Sequence, residues 1–365
     1  MQERASRPKV LFLFALAALM ALPLVAGCGA SKSTPAVEGE TQVEGGTAAE
    51  EKAPEEAPPD YATGTVTALQ PIGYLYVEAG PKSVELMPGG DRVFVNDLYA
   101  HKCFIFDANT YERLMAIPVP DEPVEADFSP DGRFAWVSLY NTSKVVVLDT
   151  QAGVIAGEVP TGSIPKEIAV SPDGKWVYAA NWDSNTVTVI DADTRTRVQD
   201  IPMYGTPRGI VFSQEGERAY VCVMGGDTLA EVDVAAGHVV ARQIYCGQNP
   251  RHAVLSPDGD TLYVSNNIPG TITVVNRIPG TIAATIKVGN KARTIAITPD
   301  GAYLFVCNYD DGTVGCVDIA AGQQIFTYST TKPIGVAVDS RGERLFVSNY
   351  APPQVTVLEI IRSPE

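Results

Sequence analysis

The sequence predicts an all-β fold, a seven-bladed β-propeller of four-stranded blades closed into a ring. Three observations predict it. A tight-turn motif recurs seven times with steps of 41 to 43 residues, short strand-like runs separate the turns, and the two ends of the repeat array complement each other. A repeat of this length holds one supersecondary unit, which cannot bury its apolar faces alone and must stack against its neighbours.

The turn motif marks the same point of every repeat. Four copies read Ser/Thr-Pro-Asp-Gly and begin at Ser129, Ser171, Ser256 and Thr298. Three degenerate copies begin at Met87, Ser213 and Asp339. Proline at the second position presets φ, aspartate tolerates the third, and glycine relieves the exit, as a type I turn requires. We therefore expect a β-turn at this point of each blade.

Strand-like runs follow each turn. Residues 176–181 and 186–191 are examples of the second and third strands, Val198 to Met203 is an outer strand, and the next inner strand starts after Pro207. β-Branched and aromatic residues in short runs between Pro, Gly and Asp are typical of strands and turns. An aspartate closes most third strands, where we expect it to cap the next turn, at Asp107, Asp149, Asp191, Asp233 and Asp318.

The ends of the array indicate how the ring closes. The chain ends after a third strand, Gln354 to Ile360, with no outer strand behind it, whereas residues 72–79 supply an extra outer strand before the first turn. We expect Ile72–Ala79 to complete the seventh blade beside Val355–Leu358. Such closure removes the free edges that would pair with other chains.

A family resemblance appears in the second strands. Residues 263–266 (Tyr-Val-Ser-Asn), 305–308 (Phe-Val-Cys-Asn) and 346–349 (Phe-Val-Ser-Asn) resemble the YVTN repeat of bacterial and archaeal β-propeller proteins. The resemblance covers residues 72–361 and implies the same fold. Residues 136–139 and 220–223 lack the asparagine, which affects the expected loop geometry in blades 2 and 4.

The amino terminus predicts export. Arg4, Arg7 and Lys9 precede an apolar run from Leu11 to Leu22, which is short for a membrane span. The run ends in Leu-Val-Ala-Gly-Cys at residues 24–28, which resembles the lipobox of bacterial lipoproteins. This resemblance implies a signal peptide at 1–27, lipidation of Cys28, and a location in the bacterial cell envelope, anchored to a membrane outside the cytoplasm; the alternative is an ordinary secretory signal.

Residues 28–62 predict a disordered acidic tether rich in Ala, Glu and Pro, ahead of the propeller at 63–365. The tether has eight acidic residues against two lysines, and the whole chain has a formal net charge of −16. Such a segment cannot bury enough apolar area to fold. A negative body also disfavours nucleic acid as a partner. We expect a monomer.

Five cysteines remain besides Cys28, so at least one thiol is unpaired within the chain. Cys307 and Cys316 flank a predicted hairpin turn. These two cysteines either form a disulfide across the hairpin or serve as small buried apolar residues of the core.

Departures from the repeat are the best candidates for function, since sevenfold features are mostly scaffold. The inner strands line the channel of a propeller, and their starts align as Lys82, Val124, Lys166, Arg208, Arg251, Arg293 and Ile334. Aromatic residues at the exits of the second strands reach the same face. These residue types suit an anionic or glycan ligand or an acidic protein segment. The predicted ligand-binding set is Lys166, Arg208, Arg251, Arg293, Trp182, Tyr309 and Tyr350. Alternatively, each base pairs with an acid of a neighbouring blade.

Acidic residues concentrate in the inner strands of the first three blades, at the positions that follow the basic strand starts. Glu85, Glu125, Asp127 and Glu167 are candidate ligands of Ca²⁺ or another divalent metal. With His252 across the channel, Glu125, Asp127 and Glu167 form an alternative catalytic set. A channel lined by solvated carboxylates is the simpler interpretation, and no cofactor is predicted.

The sequence thus favours a membrane-anchored lipoprotein whose propeller binds an unidentified protein or ligand and performs no catalysis. One alternative is a metal-dependent lactonase or lyase in the channel, as in some similar propellers. Another is a scaffold of an envelope assembly. The absence of Cys-x-x-Cys-His, Gly-x-Ser-x-Gly and His-Glu-x-x-His motifs gives no support to haem attachment, serine hydrolysis or zinc proteolysis.

Overall fold

The computed structural model describes residues 61–363 of the chain. They form seven four-stranded antiparallel sheets, as the sequence predicts. The predicted signal peptide, Cys28 and nearly all of the predicted tether lie outside the described residues. Within 61–363 the one helix is a three-residue 3₁₀ turn at Met224–Gly226, and no helix there is long and apolar enough to cross a membrane.

Each blade consists of an inner, a second, a third and an outer strand. The inner strands are β2 (Pro81–Leu86), β6 (Pro123–Phe128), β10 (Pro165–Val170), β14 (Pro207–Phe212), β18 (Pro250–Leu255), β22 (Ala292–Ile297) and β26 (Pro333–Val338). The second strands are β3 (Arg92–Asp97), β7 (Phe134–Leu139), β11 (Trp176–Asn181), β15 (Arg218–Val223), β19 (Thr261–Asn266), β23 (Tyr303–Asn308) and β27 (Arg344–Asn349). The third strands are β4 (Lys102–Asp107), β8 (Lys144–Asp149), β12 (Thr186–Asp191), β16 (Thr228–Asp233), β20 (Thr271–Asn276), β24 (Thr313–Asp318) and β28 (Gln354–Ser363). The outer strands are β5 (Arg113–Pro118), β9 (Val154–Pro160), β13 (Thr196–Pro202), β17 (Val239–Tyr245), β21 (Thr281–Lys287), β25 (Gln323–Ser329) and, for the seventh blade, β1 (Thr65–Tyr76).

The repeated turn joins each inner strand to the second strand. In blade 2 the Gly132 N–H donates to the Ser129 carbonyl at 2.7 Å, and the Ser129 hydroxyl donates to Asp131 at 2.6 Å. Gly132 has a φ of 69°, a region that glycine enters without steric cost. The same backbone bond closes the turn in all seven blades. The face that carries these loops is called the turn face below.

The predicted aspartate caps are also present. Asp149 Oδ1 accepts the N–H groups of Gln151 and Ala152, at 3.0 and 2.9 Å. Asp107, Asp191, Asp233 and Asp318 accept equivalent bonds at the same position of their blades. These recurring carboxylates therefore hold the turn between the third and outer strands.

The hydrophobic core lies between the blades. Seven clusters of buried side chains each combine residues from two neighbouring blades. One cluster joins Phe104 and Phe106 of blade 1 to Phe346 and Leu75 of blade 7. Inner strand β2 likewise contacts β26 as well as β6. The ring is therefore closed by packing between its first and last blades.

Strand β1 completes the seventh blade, but its predicted bounds were wrong. It starts at Thr65 rather than Ile72 and ends at Tyr76 rather than Ala79, and it pairs with the whole of β28, from Tyr76↔Gln354 to Thr65↔Ser363. The predicted strand began at Ile72, directly after Pro71. The strand tolerates Pro71 because β1 is an edge strand and its register shifts between Pro71 and Gly73.

The cysteine thiols are packing groups in this structure. In the hairpin of β23 and β24, Cys307 lies opposite Val314, whereas Cys316 lies opposite Phe305. Both thiols are free and fully buried in the core between blades 6 and 7. The disulfide alternative is therefore not formed.

Removal of β1 tests ring closure. A chain that starts at residue 77 loses the buried side chains of Val66, Leu69 and Leu75 and exposes the edge of β28. Each of these side chains contributes about 2 kcal/mol of burial, so the expected drop in Tm is about 10 °C or more. Calorimetry measures the drop, and size-exclusion chromatography measures the expected aggregation.

The control is a chain that starts at residue 61 and keeps β1. Both chains lack the first sixty residues, so any difference between them comes from β1 and the four residues before it. A chain starting at residue 77 that stays monomeric with the Tm of the control would contradict closure by β1.

Candidate functional site

The inner strands bring two consecutive side chains to the channel. Each inner strand has a register irregularity near its start, such as those after Pro165 in β10 and Pro207 in β14. A bulge interrupts the alternation of side chains between the two faces of a sheet. The second and third residues of a strand can then both face the axis, and ion pairs between these two positions show that they do.

Those ion pairs link four blades. Glu125 Oε1 accepts from Lys82 Nζ and Arg208 Nη2, each at 2.8 Å, and Arg208 Nη1 donates to Glu167 Oε2 at 3.0 Å. Lys82, Glu125 and Arg208 are 6–7% exposed. The network thus connects blade 1 to blade 2, and blade 4 to blades 2 and 3. Lys82 and Arg208 therefore follow the alternative given above, in which the bases of the channel pair with acids of other blades and hold the ring together.

Protonation differs sharply between the two glutamates of this network. Burial alone would raise the pKa of Glu125, but Lys82 and Arg208 lower it to about 2. Burial and the charge of Glu125 raise the pKa of Glu167, and the single contact with Arg208 opposes this only in part. Glu125 is therefore the carboxylate that holds the network together.

A cavity of about 300 Å³ lies in the channel, lined by Glu85, Glu125, Asp127, Glu167 and His252. The structure therefore brings together all the acids predicted as candidate metal ligands and the alternative catalytic set. Among residues 61–363, however, no three His, Cys, Asp or Glu side chains are placed to hold a metal ion together.

Burial shifts three groups of this cavity towards their neutral forms. Burial, followed by the charges of Glu125, Glu167 and Asp127, raises the pKa of Glu85 well above its usual value. Burial raises the pKa of Asp127 to about 6, although the Val170 and Phe128 N–H groups donate to its carboxylate. Burial also lowers the pKa of His252 to about 4. His252 is therefore uncharged at neutral pH, whereas Glu125 and Arg208, which also line the cavity, keep their charges.

Three cations remain where the inner strands begin, on the side of the ring opposite the turn face. We call this set, Lys166, Arg251 and Arg293, the free cations. Lys166 Nζ lies 3.6 Å from the centroid of the Tyr140 ring and 5.1 Å from that of Trp182. Arg293 Cζ lies 3.5 Å from the Tyr309 centroid. Within residues 61–363, none of the three forms an ion pair, and the buried Nε of Arg293 has no hydrogen-bond partner.

Aromatic rings surround these cations. Tyr309 and Tyr350 pack edge to face with centroids 6.3 Å apart, and Tyr350 lies 6.4 Å from Tyr99. Trp182 is 38% exposed, so part of its ring is available to a ligand. Cation–π contacts replace only part of the hydration that a buried cation loses. We call the free cations with Tyr140, Trp182, Tyr309 and Tyr350 the basic mouth.

The structure divides the predicted ligand-binding set. Arg208 is committed to Glu125 and Glu167, whereas the other six predicted residues lie in the basic mouth. Tyr140 was not predicted as a ligand residue, although it occupies in blade 2 the repeat position of Trp182 in blade 3. That equivalence was the signal that pointed to it.

The chain is similar to known propellers in fold. A family described as Lactonase, 7-bladed beta-propeller matches residues 122–200. A solved structure of Kuenenia stuttgartiensis hydrazine synthase superposes with a TM-score of 0.72 at 21% identity, covering 79% of this chain and 98% of that chain. The Cps50 (Swd1) β-propeller domain of Myceliophteria thermophila has a TM-score of 0.72 at 12% identity, covering 80% and 100%. No curated protein shows a significant match to the chain. At these identities the two structures show the fold alone.

Substitution of Glu125 tests the ion-pair network. Glu125→Gln keeps the shape of the side chain but leaves Lys82 and Arg208 buried with too little compensating charge. The expected loss in the free energy of unfolding is about 3 kcal/mol, measured by chemical denaturation.

Glu167→Gln is the matched control. It removes one contact to Arg208 and leaves Glu125 with both of its partners, so a smaller loss is expected. Equal losses for the two variants would show that Glu125 is not the centre of the network.

Proposed function

We propose that this chain is a lipid-anchored binding module of the bacterial cell envelope, and that its propeller binds an anionic ligand at the basic mouth. The observation that carries the proposal is the set of free cations in a channel whose other bases are paired. Lys82 and Arg208 satisfy their charges with Glu125 and Glu167, whereas Lys166, Arg251 and Arg293 do not.

Arg251 lies in the field of two other guanidiniums. Burial, followed by the guanidiniums of Arg208 and Arg293, lowers the pKa of Arg251. The guanidinium nevertheless keeps its charge at neutral pH. A partly buried cation beside two others is costly unless an anion compensates it. An incoming carboxylate or phosphate supplies that compensation and accepts the planar, two-pronged hydrogen bonds that arginine offers.

The rings of the basic mouth define the rest of the ligand. Trp182, Tyr309 and Tyr350 offer apolar faces next to positive charge, on the rim of the channel. Flat or ring-shaped parts of a ligand can pack on such faces while their acidic groups reach the arginines. Small organic acids, acidic sugars and acidic protein segments share this chemistry.

The first described residues, at the end of the proposed tether, contact the turn face, opposite the basic mouth. The Ala62 N–H donates to the Arg341 carbonyl at 3.0 Å, in the turn of blade 7, and Tyr61 lines a groove of the turn face. The chain thus enters the propeller far from the basic mouth. We include in the proposal the signal at 1–27, lipidation of Cys28, the YVTN-type repeat and a monomeric state without nucleic-acid partners.

Trp182 fluorescence provides the test. Malonate, citrate and inorganic phosphate are titrated into the purified protein, and the Arg251→Glu/Arg293→Glu double variant is expected to lose at least about tenfold in affinity, since each charge-assisted contact contributes about 1.5–3 kcal/mol. A Trp182→Phe variant identifies the part of the signal that comes from Trp182.

The Arg341→Glu/Lys175→Glu double variant is the matched control, because it makes the same charge change on two exposed bases of the turn face. It is expected to bind the anions as the unmodified protein does. Equal loss in both variants would reduce the effect to net charge, and no response to any of the anions would contradict the proposal.

A further inference from the structure

Within residues 61–363, Lys166 is the lysine that is partly buried and yet forms no ion pair; Lys287 and Lys332 also form none, but both are exposed. Lys82, Lys102, Lys144, Lys175 and Lys291 each form an ion pair with a carboxylate. Within residues 61–363 no carboxylate lies within ion-pair distance of Lys166. Its Nζ instead lies against the rings of Tyr140 and Trp182, and the residue is partly buried at the edge of the channel.

The charged groups facing Lys166 are mostly cations. Arg208 projects from β14, Lys82 from β2 and Arg251 from β18. Glu125 from β6 is the carboxylate that most favours the ammonium, and it is shared between Lys82 and Arg208. Loss of water and neighbouring positive charge both favour the neutral amine of a lysine. The facing rings favour the ammonium, but only by about 1–2 kcal/mol.

Burial is the larger effect. Together with Arg208, Lys82 and Arg251 it lowers the pKa of Lys166 to about 6. A far larger fraction of Lys166 is then unprotonated at pH 7 than of an ordinary lysine with a pKa of about 10.4, while the remainder keeps the positive charge that it contributes to the basic mouth. A neutral lysine amine is a nucleophile, and desolvation beside another cation is a known route to one.

We propose that Lys166 is a nucleophilic amine that forms an imine with small anionic aldehydes or 2-oxo acids held at the basic mouth. This rests on the proposed anion site, because the carboxylate of such a compound meets Arg251 while its carbonyl group meets Lys166. The chemical class follows from the juxtaposition of an unpaired lysine, unpaired guanidiniums and aromatic faces that cover part of the lysine.

The reaction needs no further reagent. The Lys166 nitrogen lone pair attacks the carbonyl carbon, the carbonyl oxygen takes a proton, and nitrogen releases one, which gives a carbinolamine. The carbinolamine then loses its hydroxyl group and a proton from nitrogen as water, and a C=N bond forms. Nothing is oxidised or reduced, and water reverses the reaction.

Reductive trapping tests the proposal on the purified full-length protein. Glyoxylate with cyanoborohydride converts each imine into a stable carboxymethyl amine, and peptide mass spectrometry gives the labelling rate of every lysine. Lys175, which is exposed and lies on the turn face, is the internal control. At pH 7 we expect Lys166 to react at least about tenfold faster than Lys175, because far more of its amine is unprotonated.

The pH profile is the second measurement. Labelling of Lys166 is expected to rise to half its plateau near pH 6, where its amine is half protonated. Labelling of Lys175 is expected to go on rising up to about pH 10. A Trp182→Ala variant lets water reach Lys166, so its profile is expected to move to higher pH. A Lys166 profile parallel to that of Lys175 would overturn the proposal without requiring any variant.

Two comparisons distinguish a failure of the nucleophile from a failure of the proposed anion site. The preference of Lys166 for glyoxylate over the neutral acetaldehyde is expected to fall about tenfold or more in Arg251→Glu, as a lost guanidinium–carboxylate contact predicts. Slow labelling of Lys166 by both aldehydes, with malonate still changing Trp182 fluorescence, would overturn the nucleophile alone. The same preference in Arg251→Glu as in the unmodified protein, with no malonate response, would overturn both.

Discussion

Pairing of β1 with β28 is the constraint on which the rest of the structure depends. The seventh blade takes its outer strand from one end of the described chain and its other three strands from the other end. This pairing holds blade 7 beside blade 1, where Leu75 and Phe346 pack with Phe104. Because the ring is closed, seven inner strands share one axis, and side chains from four blades can meet in a single ion-pair network.

The network in turn determines which cations remain available. Equivalent positions of the repeat carry Lys82, Lys166, Arg208, Arg251 and Arg293, but the acids that can reach them lie only in blades 2 and 3 of the network. Glu125 and Glu167 satisfy Lys82 and Arg208. The uneven supply of carboxylates around a sevenfold scaffold therefore produces a basic mouth on a protein with a formal net charge of −16.

The sequence predicted the parts of this arrangement that repeat. The turn motif placed every blade, and alignment of the strand starts found the ring of bases. The alignment did not show that Arg208 forms ion pairs whereas Arg251 does not. The two arginines occupy the same repeat position and differ only in their contacts with other blades. The start of β1 was missed for a related reason, since only its pairing with β28 makes Pro71 acceptable within a strand.

The central claim is that Arg251 and Arg293 lie together at one mouth of a closed ring and lack partners within the propeller. A crystal structure of the purified protein soaked with selenate, with an anomalous difference map at the selenium edge, tests it most directly. The account predicts seven blades and a selenium peak in contact with both guanidiniums. Ion pairs from Arg251 and Arg293 to carboxylates of the chain, with no peak at the mouth, would contradict it.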